Sequence, residues 1–137
     1  MLNNKDFDEN KSHKKLFISF SYKRKSMLTA LEWGYESDVI PNQSFRFVLK
    51  FIALEALLGD KKDIVETLKN RCAFLLAETH KEREELLTEI PKLYELRSKL
   101  VHGSGSLLGF ENHEKLNNLN DILKRVIYSE LFMLHGK

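Results

Sequence analysis

An all-α bundle is the fold class this sequence predicts, and three observations predict it. Long stretches keep apolar residues at helical rather than alternating spacing. Capping-box patterns open two of those stretches, and glycine stands at the ends of two. The chain of 137 residues is 42% apolar and 31% charged, which suits one globular domain with a single core. The expected architecture is four long helices plus a short N-terminal helix, with residues 1–14 as a polar, basic tail and residues 15–137 as the domain.

Residues 15–22, Lys-Leu-Phe-Ile-Ser-Phe-Ser-Tyr, partly alternate and read equally as a short strand or a helix opening. A helix follows from about Ser21 to Glu36, with Leu28, Leu31 and Tyr35 on one side, and Ser37 to Asn42 form a loop around Pro41. The second helix runs from about Asn42 to Leu58. Phe45, Val48, Leu49, Ile52, Ala56 and Leu57 hold one set of positions, and Phe47, Phe51, Leu54 and Leu58 the other. A helix apolar almost all round belongs at the centre of a bundle.

Asp63 to Glu66 has capping-box form and opens a third helix to about Glu78, with Ile64, Leu68, Cys72 and Leu75 inward. Thr79 to Glu82 is a second capping box. It opens a fourth helix to His102, with a kink expected near Pro91. Gly103 suits the left-handed position after a helix end. A fifth helix spans about His113 to Leu134, with Leu116, Leu119, Ile122, Leu123, Val126, Glu130 and Met133 on or near one stripe.

Composition excludes several function classes. Cys72 is the single cysteine, so no internal disulfide and no cysteine-based zinc site can form. Its place on an apolar face makes it inert packing. His13, His80, His113 and His135 lack metal-ligand partners at useful spacing, so neither metal nor cofactor is expected. No apolar run approaches the roughly 20 residues of a membrane span. The N-terminus lacks an apolar signal core, and a cytoplasmic protein is expected. Net charge is +2, so a nucleic-acid role must rest on local clustering. Lys11, Lys14, Lys15, Lys23, Arg24 and Lys25 form the one such cluster, read either as a solvated tail or as a contact for RNA phosphate. Gly103-Ser-Gly-Ser-Leu-Leu-Gly109 lacks the strand–loop–helix context of a nucleotide loop and reads as a helix stop.

Two charges fall on apolar faces. On the wheel of the second helix Arg46 and Lys50 make a solvent edge, and Glu55 lies roughly 180° from Arg46, between Val48 and Phe51. In the fourth helix Leu93, Leu96, Leu100 and Val101 define the inward face, with Arg97 roughly 40° from Leu93. Arginine keeps its charge, so it must meet a carboxylate, a phosphate or a water-filled cleft. Glu55 is the internal candidate. Two readings stay open: a pair that only fixes helix register, or a pair that serves a site.

His102 ends the same helix, roughly 140° from Arg97 on an ideal wheel. Beside a ribose–phosphate link, an imidazole can take the 2′-hydroxyl proton while a guanidinium stabilises charge on the phosphorus oxygens. That combination cleaves RNA without a metal. A helix-end histidine facing solvent is the plainer alternative.

Arg97-Ser-Lys-Leu-Val-His102-Gly103, preceded by Leu93-Tyr94-Glu95-Leu96, resembles the signature of HEPN domains, a superfamily of helical nucleotide- and RNA-binding modules. The match is closest to the Apea-like branch, where an earlier Ala-Leu-Glu-Ala-Leu helix stands here as Ala53-Leu54-Glu55-Ala56-Leu57. The resemblance covers roughly residues 20–135. It implies a HEPN-like bundle acting as a metal-independent endoribonuclease, with no cofactor. It also implies a homodimer that brings two Arg97–His102 faces together. By position Arg97 is the phosphate-contacting residue and His102 the catalytic one. Ser98 is the polar residue after the arginine, and Glu55 orients Arg97. Tyr94 and Lys99 are further candidates for RNA contact, as are Lys23, Arg24 and Lys25. The resemblance places such a chain in phage defence or a toxin system, with tRNA or phage RNA as substrate and an antitoxin or a separate sensing domain as partner. Apea-like proteins commonly carry another domain ahead of this one, and the chain here has almost none. A non-catalytic RNA- or nucleotide-binding module and a dimerisation module are the alternatives.

Overall fold

The computed structural model describes residues 24–103 and 110–135, with α5 side chains described from 112 to 132. Five helices account for the fold: α1 (24–39), α2 (Gln43–Leu58), α3 (Ile64–Leu76), α4 (His80–Val101) and α5 (Phe110–His135). No strand occurs among the described residues. The alternative readings of residues 15–22, the tail and the 104–109 loop lie outside them.

Two helix starts carry side-chain caps, and the one at Thr79 is the one its sequence predicts. Asn42 accepts the Phe45 N–H at 3.1 Å and caps α2. Thr79 accepts the Glu82 N–H at 3.1 Å and caps α4. Glu82 in turn reaches back 2.8 Å to the N–H of Glu78, one residue ahead of the cap. The third start is a correction. Asp63 sits in the left-handed region at φ 50° and makes no side-chain cap bond, while Glu66 takes Lys69 at 2.8 Å. A capping residue needs extended backbone to aim its carboxylate at the first turn, and Asp63 lacks it. Gly103 ends α4 at φ 73°, as expected. Helix α4 runs uninterrupted through Pro91.

α2 packs against α3, α4 and α5, and α3 packs against α4 and α5. One core joins Phe47, Phe51, Leu54 and Leu58 of α2 to Leu68, Cys72 and Leu76 of α3. Leu86, Ile90 and Leu93 of α4 and Leu116, Leu119, Ile122, Leu123 and Val126 of α5 complete it. Phe45 is a correction: it is 62% exposed, because it sits in the first turn of α2, on the side away from the buried Phe47. Val101 is another, 53% exposed in the last turn of α4, while Leu96 and Leu100 pack at the core edge.

α1 departs furthest from expectation. It is as long as α2 rather than short, and it extends through Asp38 and Val39. Its buried face carries Met27, Ala30 and Ser37. A Cβ added at Gly34 would stand 3.9 Å from Leu123, which places this small-residue face on α5. Leu28, Leu31 and Tyr35 share a face as predicted, but it is the outer one. The supposed solvent edge of α2 is corrected as well. Lys50 is 5% exposed, and its ammonium donates to Asp38 of α1 at 2.7 Å. Arg46 is half-buried, and its Nε donates to the Ile40 carbonyl. Together these bonds fasten α1 to α2 across their short connection.

Two further arginines close helix ends. Neither α2 nor α3 has a basic residue in its own last turn. Arg71 of α3 donates to the Leu58 carbonyl at 2.8 Å, and Arg125 of α5 donates to the Leu76 carbonyl at 3.1 Å.

Candidate functional site

The site forms where α2 and α4 run side by side. The Phe51 and Tyr94 rings lie 5.9 Å apart, and Glu55 and Arg97 meet next along the same two helices. Advancing four residues on α2 and three on α4 therefore keeps the helices in step, so an apolar contact is followed by a charged one. This is the Glu55–Arg97 pair that the two helical wheels predict.

Arg97 Nε stands 3.7 Å from Glu55 Oε1. Both atoms are buried and neither has a hydrogen-bond partner among the described residues. The separation is longer than a hydrogen bond, so the attraction is coulombic. The side chains keep 27% and 22% of their exposure, which makes the pair neither sealed nor free. Burial raises the Glu55 carboxyl above its ordinary value, and Arg97 draws it partly back. Arg97 Nε is buried, and the side chain as a whole keeps about a quarter of its exposure.

His102 follows five positions later as the C-cap of α4, and its side chain is exposed. Its N–H donates to the Ser98 carbonyl at 3.0 Å, and the Gly103 N–H reaches Leu100 at 3.3 Å. The helix terminus thus fixes the His102 backbone and leaves its imidazole in solvent. Ser98 is half-buried and contributes its carbonyl to that cap.

The other candidates divide. Tyr94 is half-buried and packs on Phe51, so its ring serves the core edge. Lys99 is exposed and pairs with Glu95 at 3.2 Å, one helical turn away. Arg24 and Lys25 are exposed on α1, and Lys23 lies outside the described residues. Cys72 is fully buried, and burial pushes its thiol up to about 12, far from a reactive thiolate. His113 shares a 2.9 Å hydrogen bond with Gln43, joining the starts of α5 and α2. Among the described residues no three His, Cys, Asp or Glu side chains gather as a metal site, and no helix is long and apolar enough to cross a membrane.

Sequence reasoning missed a groove of about 870 Å³ along the first half of α4 and α5. Glu82, Glu84, Glu85, Glu89 and Asp121 line it, with Lys81 and Arg125 as its cations. Glu89 closes one stretch, taking Lys115 at 2.8 Å and Asn118 at 3.2 Å. Its carboxylates repel phosphate, so it is no extension of an RNA site. The signal for it was the acidic run at the start of α4, but its opposite wall comes from a distant helix.

Fold and site together define an all-α bundle that holds a half-buried arginine–glutamate pair one turn from an exposed terminal histidine. Comparison with family models, with curated proteins and with solved structures finds no match for this chain.

Proposed function

We propose that the chain is a metal-independent endoribonuclease of HEPN type, with Arg97 and His102 as its working pair. One observation carries the reading. Arg97 faces Glu55 through its Nε and keeps 27% of its side-chain exposure, on the helix whose end presents the exposed His102. A purely structural ion pair needs neither that residual exposure nor a histidine at the end of the same helix.

In this reading His102 removes the proton from a ribose 2′-hydroxyl. The freed oxygen attacks the adjacent phosphorus, and the bond to the 5′-oxygen breaks. Arg97 stabilises the negative charge that builds on the phosphorus oxygens. The departing 5′-oxygen takes a proton from a second acid, for which His102 of the partner subunit serves in a homodimer that pairs the two Arg97–His102 faces. The products are a 2′,3′-cyclic phosphate and a 5′-hydroxyl end. DNA, lacking the 2′-hydroxyl, is spared. Glu55 acts through Arg97 as a positioning residue. A role in phage defence or a toxin system, with tRNA as substrate and an antitoxin as partner, fits such an activity.

The test is incubation of purified protein with total RNA in EDTA, wild type beside Arg97→Ala and His102→Ala. Wild type is expected to yield a ladder with cyclic-phosphate ends, and each variant to lose activity by roughly 100-fold or more. A ladder in all three lanes marks contamination and ends the proposal. Cleavage that vanishes with chelator contradicts the mechanism. RNA retention without cleavage by wild type makes the chain a binding module instead.

A further inference from the structure

We infer that α1 is a docking face for a second copy of this chain, paired antiparallel about a two-fold axis. Five large apolar side chains of α1 stand in solvent, and all but Trp33 share one face: Leu28 56% exposed, Leu31 39%, Tyr35 70% and Val39 60%. They fall within roughly 80° of one another on the helical wheel. The face that α1 uses on its own core, Met27, Ala30, Gly34 and Ser37, is centred roughly 120° away. Among the described residues the helix is thus occupied on one side by the bundle and uncovered on another, where a coiled-coil seam would run.

Charge decides the occupant and its direction. Leu28, Leu31 and Tyr35 take a, d and a positions of a heptad, and Arg24 takes the preceding d. Lys25 and Glu32 then both take e positions, on one flank of the seam. Both are exposed, and neither has a charged partner among the described residues. In an antiparallel pair the e flanks of the two helices face each other. Lys25 of one copy therefore approaches the partner's Glu32, and the symmetry makes the same contact twice. Leu28 packs against the partner's Leu31. Arg24 comes to the partner's Tyr35, a cation over an aromatic face. A parallel pair offers neither contact, since it sets each residue beside its own equivalent. The surface is therefore complementary to itself in one orientation. The contact uses neither Arg97 nor His102 and stands whether or not the nuclease reading does.

Sedimentation velocity of the full chain, over a concentration series into the high-micromolar range, tests this. Wild type is expected to form a weak, concentration-dependent dimer, because few apolar side chains are buried. Lys25→Glu and Glu32→Lys should each weaken it about tenfold, since attraction becomes repulsion at both symmetric contacts. Mixing the two variants in equal amounts should restore association, and the double variant should dimerise like wild type. Leu31→Glu should abolish this α1-mediated association with helical circular dichroism unchanged, and leave untouched any dimer formed through the Arg97–His102 faces. A wild type that stays monomeric throughout overturns the proposal. So does association that these α1 substitutions leave unchanged at every concentration.

Discussion

Glu55 meets its arginine across a gap slightly too wide for a hydrogen bond, and burial governs how the pair responds to pH. Burial raises the folded-state carboxyl above the ordinary value of 4.5, and Arg97 offsets only part of that rise. The folded chain therefore binds this proton more tightly than the unfolded chain does. Its contribution to stability is fully present below the unfolded value and is lost as pH climbs through the folded one. Glu55→Gln removes this dependence. Its stability relative to wild type is expected to rise from pH 4.5 upward, read from urea midpoints across that range. A difference that stays flat with pH contradicts the burial argument. The Glu55–Arg97 pair was legible in the sequence because both charges fall on apolar faces. Lys50 was not. Its burial depends on Asp38, a residue of another helix, and no wheel drawn for α2 alone contains it.

Helix ends offer a sharper comparison, since two similar sequence patterns give different caps. Thr79 bonds the first turn of α4, so Thr79→Ala should cost about 1 kcal/mol in chemical denaturation. Asp63 makes no such bond and holds a left-handed backbone, so Asp63→Gly should be neutral or stabilising by some tenths of a kcal/mol. Equal losses at both positions would mean that Asp63 caps after all. A capping box is a pattern of residue types, and it works only where the backbone before the helix is extended. The face of α1 was illegible for a related reason. Hydrophobicity points to Leu28, Leu31 and Tyr35, yet close approach to α5 selects Ala30, Gly34 and Ser37, whose small size admits a neighbouring helix. Packing distance belongs to pairs of helices, and the sequence of one helix does not state it.

The molecule as a whole has one core, to which all five helices contribute. Phe51 lies within it, fully buried, touching Phe47 and Tyr94. Phe51→Ala should cost about 3–5 kcal/mol and leave a single cooperative transition in which near- and far-ultraviolet circular dichroism coincide. Separate transitions would show that the helices do not melt together. Most inward residues of α2, α3 and α5 could be read from helical spacing, because burial on a central helix follows its period, whereas Leu86 and Ile90 in the first half of α4 were not. Exposure at helix ends, as at Phe45 and Val101, depends on what the neighbouring chain covers. The arginines that seal α2 and α3 bear on how the protein is made. A ribosome releases the end of α3 well before Arg125, which lies 49 residues beyond the carbonyl it serves. Until that residue emerges, Leu76 has only water to bind, and the third helix frays at its exit. Helix α5 completes the one made two before it, so a nascent chain cut short inside α5 carries an unfinished bundle however long its earlier helices have waited.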